Sequence, residues 1–284
     1  MDLVWTPDGS QLVAITRQNG PPVRARVVLL DARTVGDGDP APVPGDLVVL
    51  PAEVLPGSAV PDPSGRWLAL VTRATLAPGG TNLLSLCVLQ LRSGGLFRDL
   101  ADLGAAATAP ATAPVAWPPA ADTHAPDRLV FVGPAPPAAA RGGGLLGLVD
   151  VISALRPTAP SSGLFLADLA AAGLEGIQPR RLGSALNTVG PVWRSETTLL
   201  GFAPQADGTL ALRSIEPGSG IVQDLSVRLP AGTAQGSGLA ARWDTRHGAV
   251  LLLSHVPNGP AAGTALQAWL VSFVWPSSAL GVAH

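Results

Sequence analysis

The sequence predicts an all-β protein built from look-alike antiparallel sheets set radially, and three observations predict it. First, a turn-and-strand unit recurs. VWTPDGSQLVAITR at residues 4–17 returns as VPDPSGRWLALVTR at residues 60–73, with Gly9 over Gly65, Leu12 over Leu68, Thr16 over Thr72 and Arg17 over Arg73, without a gap. A unit that repeats in this way buries its apolar faces on its neighbours. Second, 33 Gly and 29 Pro in 284 residues supply the turns that many short strands need. Third, apolar residues make up 47% of the chain and charged ones 13%, so the strands read as near-continuous apolar runs. That pattern suits sheets covered on both faces.

The first unit opens at Trp5, where Pro7 and the pair Asp8 and Gly9 are turn formers. QLVAITR follows as a strand and ends at Gly20, Pro21 and Pro22; RARVVLLDART is the next strand, with Asp31 at its end, and DLVVLPAE is a further short one. The second unit opens near Val60 with RWLALVTR, turns at residues 78–80, and continues through NLLSLCVLQLR to LFRDLADL. VAWPP at Trp117 announces the third; RLVFVG is its recurring strand, residues 134–162 are an insertion, and GLFLADL resumes with Asp168 in the place of Asp31. The fourth runs from PVWRSETTLLGF at Trp193 through TLALRSIE to IVQDLSVRL, and the fifth from ARWDTRHGAVLLLS at Trp243 to ALQAWLVSFVW.

The anchors at 5, 61, 117, 193 and 243 lie 56, 56, 76 and 50 residues apart, the longest interval holding the insertion. Units of about 40–50 residues with about four strands each are the blades of a β-propeller. The expected fold is therefore one propeller domain over residues 1–284, with five four-stranded antiparallel blades or, alternatively, six. The blades fall at approximately 1–55, 56–110, 111–187, 188–237 and 238–284, with one long insertion in the third.

A Trp-x-Pro-Asp-Gly turn, then an apolar strand, then an apolar strand ending in Asp resembles the repeat of TolB-type β-propellers, relatives of WD40-like repeat propellers. Only Trp5 to Gly9 matches the turn in full; residues 60–65 lack the Trp, and the turns after Trp117, Trp193 and Trp243 keep the Trp and lose Asp-Gly. The resemblance implies a rigid ring whose loops bind another protein, often in the cell envelope, and rings of this kind usually close with six blades.

Composition narrows the function classes. Net charge is −2 and all 18 basic residues are Arg, which leaves no electrostatic footprint for nucleic acid, so none is expected as a partner. No run reaches the roughly 18 apolar residues of a membrane-spanning helix. The opening MDLVWTPDG has neither a basic segment nor a continuous apolar one, so no signal peptide is expected from the chain as it stands. The single cysteine, Cys87, lies in LLSLCVLQL and is expected to be a buried, inert thiol.

No catalytic, cofactor-binding or metal-binding residue is assigned. His124, His247, His255 and His284 lack paired ligand spacing, and Asp31, Asp37 and Asp39 lack the Glu-terminated calcium pattern. There is no G-x-S-x-G elbow, and Gly142 to Gly144 lack the Lys-Ser/Thr of a phosphate loop. Recurrence of Trp5, Trp117, Trp193 and Trp243 at one position per unit predicts packing between blades, and Trp269 and Trp275 share one strand face. Within the insertion, Leu145, Leu148, Val149, Ile152 and Leu155 fall at helical spacing and predict a short amphipathic helix, the candidate for partner contact or for a lid. The functional expectation is a non-enzymatic scaffold that binds another protein, with no cofactor. The alternative is a carbohydrate-active enzyme or lectin using Asp2, Asp62, Asp122, Glu196 and Asp244, which stand near the blade starts. A third reading is a propeller that gates access to a separate catalytic domain.

Overall fold

In the computed structural model the described residues, 2–18, 20, 23–31, 46–75, 82–91, 95–105, 114–119, 127–133, 163–170, 177–182, 188–207, 209–229, 237–244, 249–257 and 264–272, form β-sheets joined by turns. They assemble a β-propeller of antiparallel blades. Among them no helix is long and apolar enough to cross a membrane.

Each repeat of the sequence becomes one sheet. The first contains β1 (Asp2–Trp5), β2 (Gln11–Gln18), β3 (Arg24–Asp31) and β4 (Asp46–Leu50), paired in chain order. In the second, the innermost strand is divided into β5 (Glu53–Val54) and β6 (Val60–Pro61), both paired with β7 (Trp67–Thr75), and β8 (Asn82–Gln90) and β9 (Phe97–Ala105) follow. The third is β10 (Val115–Ala116), β11 (Arg128–Gly133), β12 (Gly163–Asp168) and β13 (Arg180–Arg181). The fourth is β14 (Val189–Trp193), β15 (Leu199–Pro204), β16 (Leu210–Ile215) and β17 (Val222–Leu229). The fifth shows three strands among the described residues, β18 (Ser237–Asp244), β19 (Ala249–Pro257) and β20 (Thr264–Ser272). Asp31 pairs with Gln11 and Asp168 with Arg128, so the aspartates that end the second apolar strand are equivalent in space as in sequence.

Alternation along each strand explains the continuous apolar runs. In β7, Leu68 and Leu70 join Val13, Ile15, Ala25 and Val27 of the first blade, whereas Trp67, Ala69 and Val71 join Leu129, Phe131, Phe165 and Ala167 of the third. In β11, Val130 turns the other way and packs with Trp193, Leu199 and Ile215 of the fourth blade. Successive side chains thus enter two different cores. Phe131 and Phe165, opposite each other across β11 and β12, stack with centroids 5.4 Å apart. Burial at roughly 25 cal/mol per Å2 of apolar surface on both faces of the second and third blades is the main term holding the first four blades together.

The turn that opens the repeat is the same in the first two blades. Gly9 and Gly65 both adopt the left-handed backbone, with φ of 66° and 65°. This conformation costs glycine little and other residues more. Gly9 N–H donates to the Thr6 carbonyl at 2.9 Å, and Gly65 N–H to that of Asp62 at 3.0 Å.

One expectation needs correction. Trp5 does not pack between blades: it is 55% exposed, because it lies on the face of the first blade turned away from the second. The aromatic that fills the second unit is Trp67, six residues beyond the position of the missing repeat Trp, and it is buried in the core shared with the third blade. Trp117 and Trp193 do pack between blades.

Candidate functional site

The register places a cleft at the seam of the first two blades. Asp2 opens β1, Arg17 lies near the end of β2 and Ala25 near the start of β3, so all three come to one face of the ring. Glu53 opens β5 just after the connection from the first blade arrives on that face. The cavity between them measures about 170 Å3 and is lined by Asp2, Ile15, Thr16, Arg17, Ala25, Glu53, Val54 and Pro56.

Glu53 is the centre of its charge. Arg73, its cross-strand neighbour in β7, approaches Glu53 Oε2 with Nη2 at 2.6 Å and Nε at 3.1 Å. Arg17 of the first blade reaches Glu53 Oε1 with Nη1 at 3.0 Å. Arg17 and Arg73 are the paired residues of the sequence repeat, so two copies of one repeat position converge on a single carboxylate. The Glu53 side chain is 16% exposed and that of Arg17 55%, so Arg17 keeps donors open to solvent. Asp2 accepts a hydrogen bond from the Gly57 N–H at 2.8 Å, which ties the innermost strand of the first blade to the divided strand of the second. Chemically the cleft offers guanidinium donors and carboxylate acceptors above an apolar lining of Ile15, Ala25, Val54 and Pro56.

Of the other acids noted in the sequence, Asp62 and Glu196 do not converge with Asp2. Asp62 is buried and accepts hydrogen bonds from the N–H groups of Trp67 (2.7 Å) and Ser64 (3.1 Å) and from the Ser64 hydroxyl, so it is a turn brace. Glu196 lies in the exposed turn before β15; Asp122 lies outside the described residues, as does the side chain of Asp244. Among the described residues, therefore, Asp2, Asp62 and Glu196 do not assemble a paired-acid glycosidase site. The predicted insertion helix with Leu145, Leu148, Val149, Ile152 and Leu155 lies outside the described residues, as do His124, His247, His284 and Trp275. Among the described residues no group of three or more His, Cys, Asp or Glu stands close enough to hold a metal ion.

Cys87 is buried beside Asp99, whose Oδ1 lies 2.7 Å from Sγ, and beside the Thr72 hydroxyl at 3.3 Å. Burial, reinforced by the neighbouring Asp99 charge, pushes the thiol well above its ordinary pKa, so it stays protonated and is a poor nucleophile. Sequence reasoning missed Glu53 and Asp127. Asp127 Oδ1 accepts from Arg66 Nη2 (2.6 Å) and from the indole of Trp67 (3.1 Å), linking the second and third blades. Neither acid carries a local motif; the repeated Arg17 and Arg73 were the available signal for the first.

No protein-family model and no curated protein matches the chain. Solved structures do. A puromycin-hydrolysing peptidase of Mycobacterium tuberculosis is 17% identical, with a TM-score of 0.46 over 94% of this chain and 36% of its own. Prolyl oligopeptidase B from Galerina marginata is 13% identical, with a TM-score of 0.46 over 97% of this chain and 32% of its own. The β-propeller domain of the trilobed protease from Pyrococcus furiosus is 12% identical, with a TM-score of 0.40 over 78% of this chain and 55% of its own. The chain thus spans about a third of the length of the first two. At these identities the likeness is one of fold, and the peptidase activity is that of those proteins. The expectation of a non-enzymatic interaction scaffold, with its carbohydrate-binding alternative, is corrected by these neighbours: the three named are a peptidase, a prolyl oligopeptidase and a domain of a protease.

Proposed function

We propose that this chain is the propeller part of a peptidase-related protein, and that it holds polypeptide at its cleft-bearing face while another part cleaves it. The cleft at the first seam carries this reading. A peptide backbone presents alternating carbonyl acceptors and N–H donors, and Arg17 with Glu53 offers the complementary donors and acceptor within 3.0 Å of each other. Ile15, Val54 and Pro56 supply apolar surface for a side chain beside them. The protonated state of Cys87 fits a holding role, because the one thiol of the chain is not poised for attack. In this reading the repeat is of the TolB type, on the strength of the turn from Trp5 to Gly9, and residues 1–284 form one domain.

Fluorescence anisotropy of dye-labelled ten-residue peptides of mixed composition tests the proposal. Saturable binding is expected, weakened about tenfold by Arg17→Ala through loss of a charge-assisted hydrogen bond, with an unchanged melting temperature because Arg17 is half exposed. Absence of binding across the panel would overturn it. Cleavage of an internally quenched peptide by this chain alone would overturn the division of labour.

A further inference from the structure

The two arginines that meet Glu53 are copies of one repeat position, yet they spend their donors differently. Arg73 turns one whole edge of its guanidinium to the carboxylate, with Nη2 at 2.6 Å and Nε at 3.1 Å from Glu53 Oε2. Arg17 touches it with Nη1 alone, at 3.0 Å from Oε1. Its Nε and Nη2 have no partner among the described residues. Those two nitrogens form the edge whose parallel N–H groups match the two oxygens of a carboxylate. One copy of this edge is closed by Glu53, and the other stands unused in the wall of the cleft.

The rest of the cleft decides what can use it. Both Glu53 oxygens are engaged, Oε2 by Arg73 and Oε1 by Arg17, so a cationic group would have to displace a guanidinium to reach that carboxylate. An anionic group displaces nothing, because the Arg17 edge is open. Asp2 is the opposing charge. It pairs with Ile15, two residues from Arg17 on the same face of the sheet, and it also lines the cleft. Its repulsion acts through solvent, whereas the Arg17 edge offers direct charge-assisted hydrogen bonds, and the direct contact outweighs it. Arg24 and Arg26 belong to the opposite face of that sheet, since Arg17 pairs with Ala25 between them. Beside Arg17 the lining is apolar, with Ile15, Val54 and Pro56.

We infer that the cleft recognises a carboxylate of the polypeptide it holds, bidentate on Arg17 Nε and Nη2, with an apolar side chain laid on Ile15, Val54 and Pro56. The inference rests on the peptide-holding reading and narrows it to a substrate class: peptides that bring a carboxylate, from the chain end or from an acidic side chain.

Four ten-residue peptides of one otherwise neutral sequence, each with an uncharged dye at the N-terminus, test it by fluorescence anisotropy with the full chain. They are a free C-terminal acid, its C-terminal amide, the amide with one internal Glu, and the amide with Gln in that place. A carboxylate peptide is expected to bind about tenfold tighter than its neutral twin, and the pair that shows the gap tells the chain end from the side chain. Arg17→Lys keeps the charge and loses the paired edge, so it is expected to remove most of the gap with the melting temperature unchanged. Asp2→Asn keeps an acceptor for the Gly57 N–H and removes the repelling charge, so it is expected to widen the gap a few-fold. Equal binding of all four peptides would overturn the carboxylate assignment and leave the peptide-holding reading standing, whereas no binding by any of them would overturn both. A gap that survives Arg17→Lys undiminished, or one that Asp2→Asn narrows, would overturn the role of the Arg17 edge.

Discussion

The opening turns of the first two blades have one backbone and two chemistries. Thr6 and Asp62 are equivalent, each 2% exposed, and so are Asp8 and Ser64. In the first blade the Thr6 hydroxyl donates to Asp8 Oδ1 at 2.6 Å; in the second the Ser64 hydroxyl donates to Asp62. The strand that follows is anchored alike, Gln11 N–H donating to Thr6 Oγ1 at 3.1 Å and Trp67 N–H to Asp62 Oδ1 at 2.7 Å. Donor and acceptor have changed places while the network is kept. The carboxylate is exposed in one turn and buried in the other, and in both its work is to close the turn, so an acid near a blade start is no sign of chemistry.

Removing the buried partner is the most damaging way to break this equivalence. Asp62→Ala leaves the Trp67 N–H without its acceptor in the interior and is expected to cost on the order of 2–4 kcal/mol in denaturant unfolding, with Asp62→Asn losing less because it keeps an acceptor. Thr6→Val removes the same node from the first blade but orphans no charge, and about 1–2 kcal/mol is expected from the same measurement. Exchanging the pair in the first blade, Thr6→Asp with Asp8→Ser, rebuilds the arrangement of the second and should fall within about 0.5 kcal/mol of the parent protein; a loss as large as that of Thr6→Val would show that the two turns are not interchangeable.

The smallest effect is with pH. Hydrogen bonds from Thr6 and then Ser10 hold the Asp8 carboxyl down from 3.8 to about 2. A carboxyl depressed by folding stabilises above its unfolded value and loses that contribution as pH falls through the folded one, here between about 3.8 and 2. Asp8 is exposed, so screening keeps the change slight, and Asp8→Asn should flatten that part of the pH-stability profile without shifting the neutral-pH midpoint much.

The sequence was most legible where local chemistry acts alone. Pro7, Asp8 and Gly9 dictate a turn wherever they occur, and the match of residues 4–17 to 60–73 carries the blade plan without any tertiary information. The apolar runs of β7 and β11 were readable as strands covered on both sides. The cleft was not readable, because Glu53 belongs to a two-residue strand and gains its meaning from Arg17, which reaches it from another blade.

By itself, then, the sequence determined the repeating antiparallel sheets, the turns between them and the burial of Cys87, since each follows from spacing and side-chain type within one unit. Only the tertiary structure decided which indoles donate to the preceding blade and which is left exposed, and that Asp127 serves Arg66 and Trp67 across a seam. These are choices between residues about sixty or more positions apart, and such a partner is fixed by how whole blades abut, which no local pattern encodes.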